Sequence, residues 1–229
     1  YIKPDRNLSA HDIMNFMRDH LEGTELDMSK DPGAGPHALP YRWRPMTWKY
    51  EGKPYVHERT TATQQTGFSF VAQARNWLPN PIGGIFWFGV DDAASTVYFP
   101  AYCGITSVPE SYAEGKGDML TYCNDCAFWT FNKVSNFAYL RYDIMHAEVA
   151  KIHNELETLF ISNTKLIDNT AKDLYQNYTK KAVQYLTDYS ANTGNYVVSR
   201  WEKLFQFLLV KFMDGNVKQE ENGVFKYNE

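Results

Sequence analysis

Cysteine is scarce in this 229-residue chain, in which Cys103, Cys123 and Cys126 are the whole set. Three is an odd number and too few for a disulfide framework, which excludes a small loop-rich fold stapled by bridges. Basic charge is scarce as well. With 23 Lys and Arg against 27 Asp and Glu the formal net charge is −4, so no electrostatic footprint for nucleic acid exists and no partner of that class is expected. No run of about 18 apolar residues occurs, and no membrane partner is expected either. The chain shows no internal repeat and no low-complexity tract, and Gly33, Gly35, Gly83 and Gly84 lack the spacing of a phosphate-binding loop. Its opening, Tyr1-Ile2-Lys3-Pro4-Asp5-Arg6, has the character of neither a signal nor a transit peptide. Without an initiator Met, this start reads as a processed or truncated piece of a longer protein, which leaves the compartment open.

Aromatic side chains are plentiful. They make up 16% of the residues, within a composition of 44% hydrophobic and 22% charged that is ordinary for a soluble globular protein. Each ring buries a large area, so most of them must be core or interface, although Tyr and Trp also line clefts well. This length suits one sizeable core and at most a small second subdomain.

Ser9 followed by Ile13, Met14, Phe16, Met17 and Leu21 predicts a capped amphipathic helix ending at Gly23, with Asp12 completing a capping box. Pro32 to Pro40 is a loop, because its Pro-Gly and Gly-Pro pairs force turns. Strand signals follow at Tyr41 to Trp48 and Tyr55 to Glu58 around a hairpin tip at Glu51-Gly52-Lys53, then at Thr60 to Ala74, Ile82 to Val90 and Ser95 to Tyr102. Ile85-Phe86-Trp87-Phe88 is apolar on both faces and predicts a sheet covered on both sides. From Ala127 the period changes to helical. Stripes run from Met145 to Leu159, from Leu166 to Tyr189 and from Val197 to Phe212, the last starting after Asn195 and ending at Gly215. The polar stretch from Val217 to Glu229 is expected to fray. Strands first and helices afterwards give an α+β class.

The densest information lies between Asp27 and Pro109. Asp27-Met28-Ser29-Lys30-Asp31-Pro32-Gly33-Ala34-Gly35-Pro36, Leu39-Pro40-Tyr41-Arg42-Trp43-Arg44-Pro45, Thr63-Gln64-Gln65-Thr66-Gly67-Phe68 and Pro81-Ile82-Gly83-Gly84-Ile85-Phe86-Trp87-Phe88-Gly89-Val90-Asp91-Asp92 follow one another there. In this order the blocks resemble the C-terminal half of a family C69 dipeptidase, a cysteine-type N-terminal-nucleophile (Ntn) hydrolase. The resemblance covers Leu21 to Tyr142 well and the later helices more loosely. It implies the later strands and helices of an αββα sandwich over residues 1–142, a helical segment packed on it over 143–216, and a polar tail over 217–229. It also implies hydrolysis of dipeptides with no cofactor and no metal, and, as partners, a short peptide and the absent N-terminal half of the same protein. The helices beyond Asp143 could serve a homo-oligomer or the intrachain core.

Such an enzyme attacks with the thiol of its first residue and uses its own α-amine as base. Tyr1 cannot do this, so the resemblance implies a scaffold without its nucleophile, inactive alone. Cys103, at the end of a predicted strand, is a rival nucleophile, but no His lies close to it in sequence. Cys123 and Cys126 form a Cys-x-x-Cys unit that reads as a redox pair, as half a metal site, or as small residues at the mouth of a helix. The family tends to carry hydroxyl residues at these two positions.

A dipeptide offers a free carboxylate, for which Arg is the best-shaped partner. Arg42 and Arg44, on one face if extended, and Arg59 are the candidates, against the reading of surface or structural arginines. Gln64 and Gln65 inside a strand-like run would point to opposite faces, so one would enter the core layers and need partners. An amide aimed at a developing oxyanion would be a functional use of that burial; satisfying nearby backbone is the other. Asp91 and Asp92 read as a turn, or as a pair for acid–base or cation work. A non-catalytic domain that binds a peptide or glycan through its aromatic and Arg-bearing loops is the alternative function.

Overall fold

The structure, a computed structural model, describes residues 2–41, 47–56 and 59–226. Ser9 caps α1 (Ala10–Met17) through the expected box: Asp12 N donates to Ser9 Oγ at 3.2 Å and Ser9 N donates to Asp12 Oδ2 at 2.7 Å. The helix stops at Arg18, before the expected Gly23, because the Arg18 guanidinium turns inward to Glu157 Oε1 and to Thr96 O at 3.0 Å. Two short 3-10 turns, Met28–Lys30 and Pro32–His37, fill the Gly- and Pro-rich loop. A small hairpin, β1 (Thr47–Tyr50) and β2 (Lys53–Val56), follows around Glu51-Gly52, both with positive φ.

The central sheet has three antiparallel strands in chain order, β3 (Phe68–Ala74), β4 (Gly84–Val90) and β5 (Phe99–Tyr102). A single helical turn, α2 (Asn80–Gly83), joins the first two. Two of these strands are shorter than their sequence signals. Thr60 to Thr66 turns instead of joining the ladder, and Tyr98, just before β5, donates its N–H to Glu157 Oε1 at 2.9 Å instead of to a neighbouring strand.

Register decides which side chains share a face. Val71, Trp87 and Pro100, with Ile85 and Tyr102, face inward, where Trp87, Ile85 and Tyr102 are buried. Phe70, Phe88 and Phe99, with Ala72 and Phe86, occupy the other face. There Phe68 and Phe70 remain 60% and 45% exposed and Phe86 and Phe88 are half-buried. Sequence predicts cover on both sides. Among the described residues the outer rings shield mostly one another, with Phe70 and Phe86 centroids 4.5 Å apart and Phe86 and Phe88 5.8 Å apart.

Helices close the inner side. After α3 (Ala127–Ala138), the three expected stripes fold into two long helices, α4 (Tyr142–Asn177) and α5 (Thr179–Phe212). They reverse direction at Tyr178, φ −147° and ψ 73°, with neither Gly nor Pro to mark the corner. Asn195 lies within α5, not at its start. The adjacent Gly194 brings that helix against β5: a Cβ there would sit 2.4 Å from Pro109 Cγ and 3.2 Å from Phe99 Cε2. One hydrophobic core runs from Val71 and Trp87 through Phe131, Met145 and Leu156 to Trp201 and Leu208.

Charged pairs lie inside it. Besides Arg18 and Glu157, Arg75 reaches Asp168 on α4 while donating to Ile82 O at 2.6 Å, and Tyr102 OH donates to Asp168 Oδ1 at 2.7 Å. The expected frayed tail begins instead as a hairpin, β6 (Gln219–Glu221) and β7 (Val224–Lys226). Asn222 and Gly223 both have positive φ there, as a two-residue hairpin turn requires. No described helix is long and apolar enough to cross a membrane.

Candidate functional site

The residues with chemical potential gather where β4 runs out. Asp91 N donates to Gly67 O at 2.8 Å, which draws the segment before β3 alongside the segment after β4. Ala62 and Tyr41 pack there with Ala93 and Ala94 as a second buried cluster. Of the residues expected to bind substrate, Arg59 enters this region exposed to solvent. Gln64 and Gln65 are the middle pair of a tight turn closed by Thr66 N to Thr63 O at 3.0 Å. They are therefore not strand residues on opposite faces. Gln64 is half-buried and Gln65 exposed, and neither enters the core layers. The hydroxyls explain the turn: Thr66 Oγ1 donates to Thr63 O at 2.7 Å and Thr60 Oγ1 to Ala62 O, satisfying locally what a strand ladder would otherwise take. Arg42 and Arg44 lie outside the described residues.

Asp91 and Asp92 do form a turn, with Ser95 N bonded to Asp92 O at 3.1 Å, but their side chains point inward. Asp91 is 2% exposed in the left-handed conformation, φ 68°, which Asp tolerates better than most residues. Its oxygens accept from Asn132 Nδ2 at 2.9 Å and Ser135 Oγ at 2.7 Å, which fastens the end of β4 to α3. Burial pushes its carboxyl up to about 6, against those two hydrogen bonds, and the neighbouring Asp92 adds to the rise. Asp92 is fully buried and accepts from Tyr41 OH at 2.9 and 3.0 Å and from Ser95 Oγ at 2.9 Å.

Rings wall this carboxylate in. His20 stands edge-on to Tyr41 at 4.7 Å, and Tyr142 stacks on His146 at 4.5 Å. Burial and the nearby Asp92 charge raise the Tyr41, Tyr139 and Tyr142 phenols well above their ordinary value, so they remain protonated. Burial lowers His146, whose Nε2 lies 3.1 Å from Ala94 O and donates to it as neutral imidazole. Both carboxylates are thus saturated by protein donors and hold the strand end in place. Among the described residues, no group of three or more His, Cys, Asp or Glu could hold a metal ion.

The cysteines separate clearly. Cys103 follows β5 and bonds through its N–H to Gly84 O, at the opposite end of β4 from Asp91, roughly 20 Å away by strand rise. It is free and exposed, and among the described residues no basic side chain hydrogen-bonds to its thiol, which leaves it without the activation a nucleophile needs. Cys123 and Cys126 are bonded to each other, so neither is a free metal ligand, and Cys126 stands at the N-cap of α3, the mouth of that helix. Beside that bridge, at the Asp91 end of the outer sheet face, lies a pocket of about 250 Å3 lined by Phe68, Phe88, Tyr112, Phe128 and Trp129.

Compared with known protein families, residues 1–155 match the one described as Peptidase family C69. The chain belongs to peptidase family C69. No curated protein matches it. The C69 match takes in α1, the whole sheet, α3 and the start of α4, so the strand end and its pocket fall within it. Hydrolysis of peptide bonds is accordingly the activity class of this C69 chain. Several of its structuring residues escaped sequence reasoning. Glu157 and Asp168 left a usable signal, since each interrupts an apolar helical stripe beside Leu156 or Ile167. Tyr112, closing a 3-10 turn over Glu110–Tyr112, and Lys116, in the loop after it, left none.

Proposed function

We propose that this chain is the helix-backed half of an Ntn-type cysteine dipeptidase, and that the attacking thiol belongs to polypeptide outside residues 1–229. One observation carries the reading: a chain of this family presents a row of phenylalanines, Phe68, Phe70, Phe86 and Phe88, on a sheet face that, among the described residues, no layer covers beyond the Phe68–Phe88 end. A second sheet laid against it completes an αββα sandwich. Burying what remains exposed of Phe70 and Phe86 contributes on the order of a couple of kcal/mol, while the Phe68–Phe88 end of the face stays open. The cysteines agree with this reading, two being bonded together and Cys103 having no hydrogen bond to a basic side chain among the described residues.

In the completed enzyme the N-terminal thiol attacks the scissile carbonyl, its own α-amine takes the proton and passes it to the leaving amine as the C–N bond breaks, and water hydrolyses the thioester to the free acid and restores the thiol. Arg42, Arg44 or Arg59 receives the substrate carboxylate as a bidentate partner. The Gln64-Gln65 turn, at the active end of the sheet, supplies an amide for the developing oxyanion. A short peptide and the preceding half of the protein are the partners. Replacing the N-terminal Cys of the mature full-length protein by Ala abolishes dipeptide cleavage in this mechanism; an undiminished rate excludes it.

A further inference from the structure

We infer that the pocket between the outer sheet face and the first turn of α3 is a substrate subsite that takes an aromatic side chain of the peptide. The inference rests on the peptidase reading and deepens it. Its volume, about 250 Å3, falls just below the roughly 300–1,000 Å3 of sites for whole drug-sized molecules. That is room for one large side chain with its neighbouring amide.

The lining is chosen for a ring. Phe68 and Phe88 form the floor, and Tyr112, Phe128 and Trp129 form the sides. Phe88 and Tyr112 already meet edge to face at 6.1 Å, the geometry into which another ring fits most favourably. Two hydroxyls on the wall, Ser111 Oγ and Tyr112 OH, are shielded from solvent and have no hydrogen-bond partner among the described residues. Such groups are rarely left unpaired, and a peptide amide entering with the ring would satisfy them.

The rim is held rigidly. Lys116 bridges Glu110 at 2.7 Å and Asp125 at 2.8 Å, and Trp129 Nε1 donates to Asp118 O at 3.0 Å. Gly117 lies flush on the Cys123–Cys126 bridge, where a Cβ would come within 2.6 Å of Cys126 Sγ. A preformed wall reduces the ordering that binding would otherwise require. Position completes the case: Gly67 and Val90 line the pocket, and Asp91 N bonds to Gly67 O, so it lies at the end of the sheet where β4 runs out beside the turn that precedes β3.

The test uses the full-length protein, with Ala113→Leu narrowing the pocket from its half-buried rim. First, non-cleavable phenylalanyl and alanyl dipeptide analogues are titrated while the indole signal of Trp129, assigned with Trp129→Phe, is followed. The phenylalanyl analogue should shift that signal and bind at least tenfold more tightly than the alanyl one, and Ala113→Leu should reduce the ratio tenfold or more, the range expected when a methylene or more is added to an apolar pocket. A Trp129 signal that does not respond, or a ratio unmoved by Ala113→Leu, overturns the subsite, including the case in which the preceding half of the protein fills the pocket. Second, the unmodified protein is assayed for hydrolysis of the cleavable dipeptides. Failure there removes the peptidase reading by itself, whatever the titration shows.

Discussion

Asp91→Asn isolates the energetics of the strand end. In the fold the Asp91 carboxyl stands at about 6 against an ordinary 3.8, because burial disfavours its charge more than Asn132 and Ser135 stabilise it. That difference corresponds to about 3 kcal/mol. Below about pH 4 the group is protonated whether the chain is folded or not, and its contribution is fully present. Between about 4 and 6 the unfolded chain ionises while the native one holds its proton, so stability is lost as pH rises. Above about 6 both states are charged and the whole penalty applies. An asparagine removes this dependence with little disturbance. It accepts φ 68° as readily as aspartate, its carbonyl still receives Asn132 Nδ2, and the Ser135 hydroxyl can accept the new amide while donating to Asn132 O at 3.1 Å. Urea unfolding of both proteins at several values between pH 4 and 7 gives the difference directly, and the other carboxylates cancel in it. The advantage of Asp91→Asn should grow by about 3 kcal/mol across the range; a constant difference refutes the reasoning.

Other perturbations have equally definite outcomes. Gly194→Ala gains about 1 kcal/mol of helix propensity but drives a methyl into Pro109 and Phe99, so a net loss of about 1–2 kcal/mol in thermal or urea unfolding is expected, and net stabilisation would show that the helix can move away. Glu157→Gln leaves the Arg18 guanidinium buried beside a neutral amide and should destabilise by about 3–5 kcal/mol, whereas the double variant Arg18→Met/Glu157→Leu should recover most of that in the same assay. Cys123→Ser/Cys126→Ser opens a four-residue loop and should cost about 2 kcal/mol, with faster amide exchange confined to the segment around Gly117 and Asp118.

Period and punctuation carried much of the fold into the sequence. The Ser9 and Asp12 box, the buried run from Ile85 to Val90 and the apolar stripes beyond Ala127 all mark elements that the structure contains. What was not legible depended on partners distant in the chain. The corner at Tyr178 has no breaker residue, and tertiary packing alone selects it. Tyr98 would have extended a strand had Glu157 not taken its N–H. The Thr-rich approach to β3 has β propensity, yet its hydroxyls bind their own backbone and turn the chain, which places Gln64 and Gln65 in a turn. Asn222-Gly223 is the opposite case, a hairpin signal present in the sequence and passed over because its surroundings are polar. At the candidate site the sequence singled out Asp91 and Asp92, which the structure places at the end of β4, and Arg59, Gln64 and Gln65, which precede β3. It could not show that the two acids turn inward, or that rings from β3, β4 and α3 enclose a pocket, since both depend on register between segments far apart.

A dipeptide carrying a thiol-reactive electrophile in place of its scissile amide, applied to the full-length protein and followed by peptide mapping, locates the nucleophile. The modification should fall on a cysteine outside residues 1–229, leaving Cys103, Cys123 and Cys126 unlabelled. Stoichiometric labelling of Cys103 with loss of activity would place the chemistry within this chain and contradict the reading of it as a scaffold.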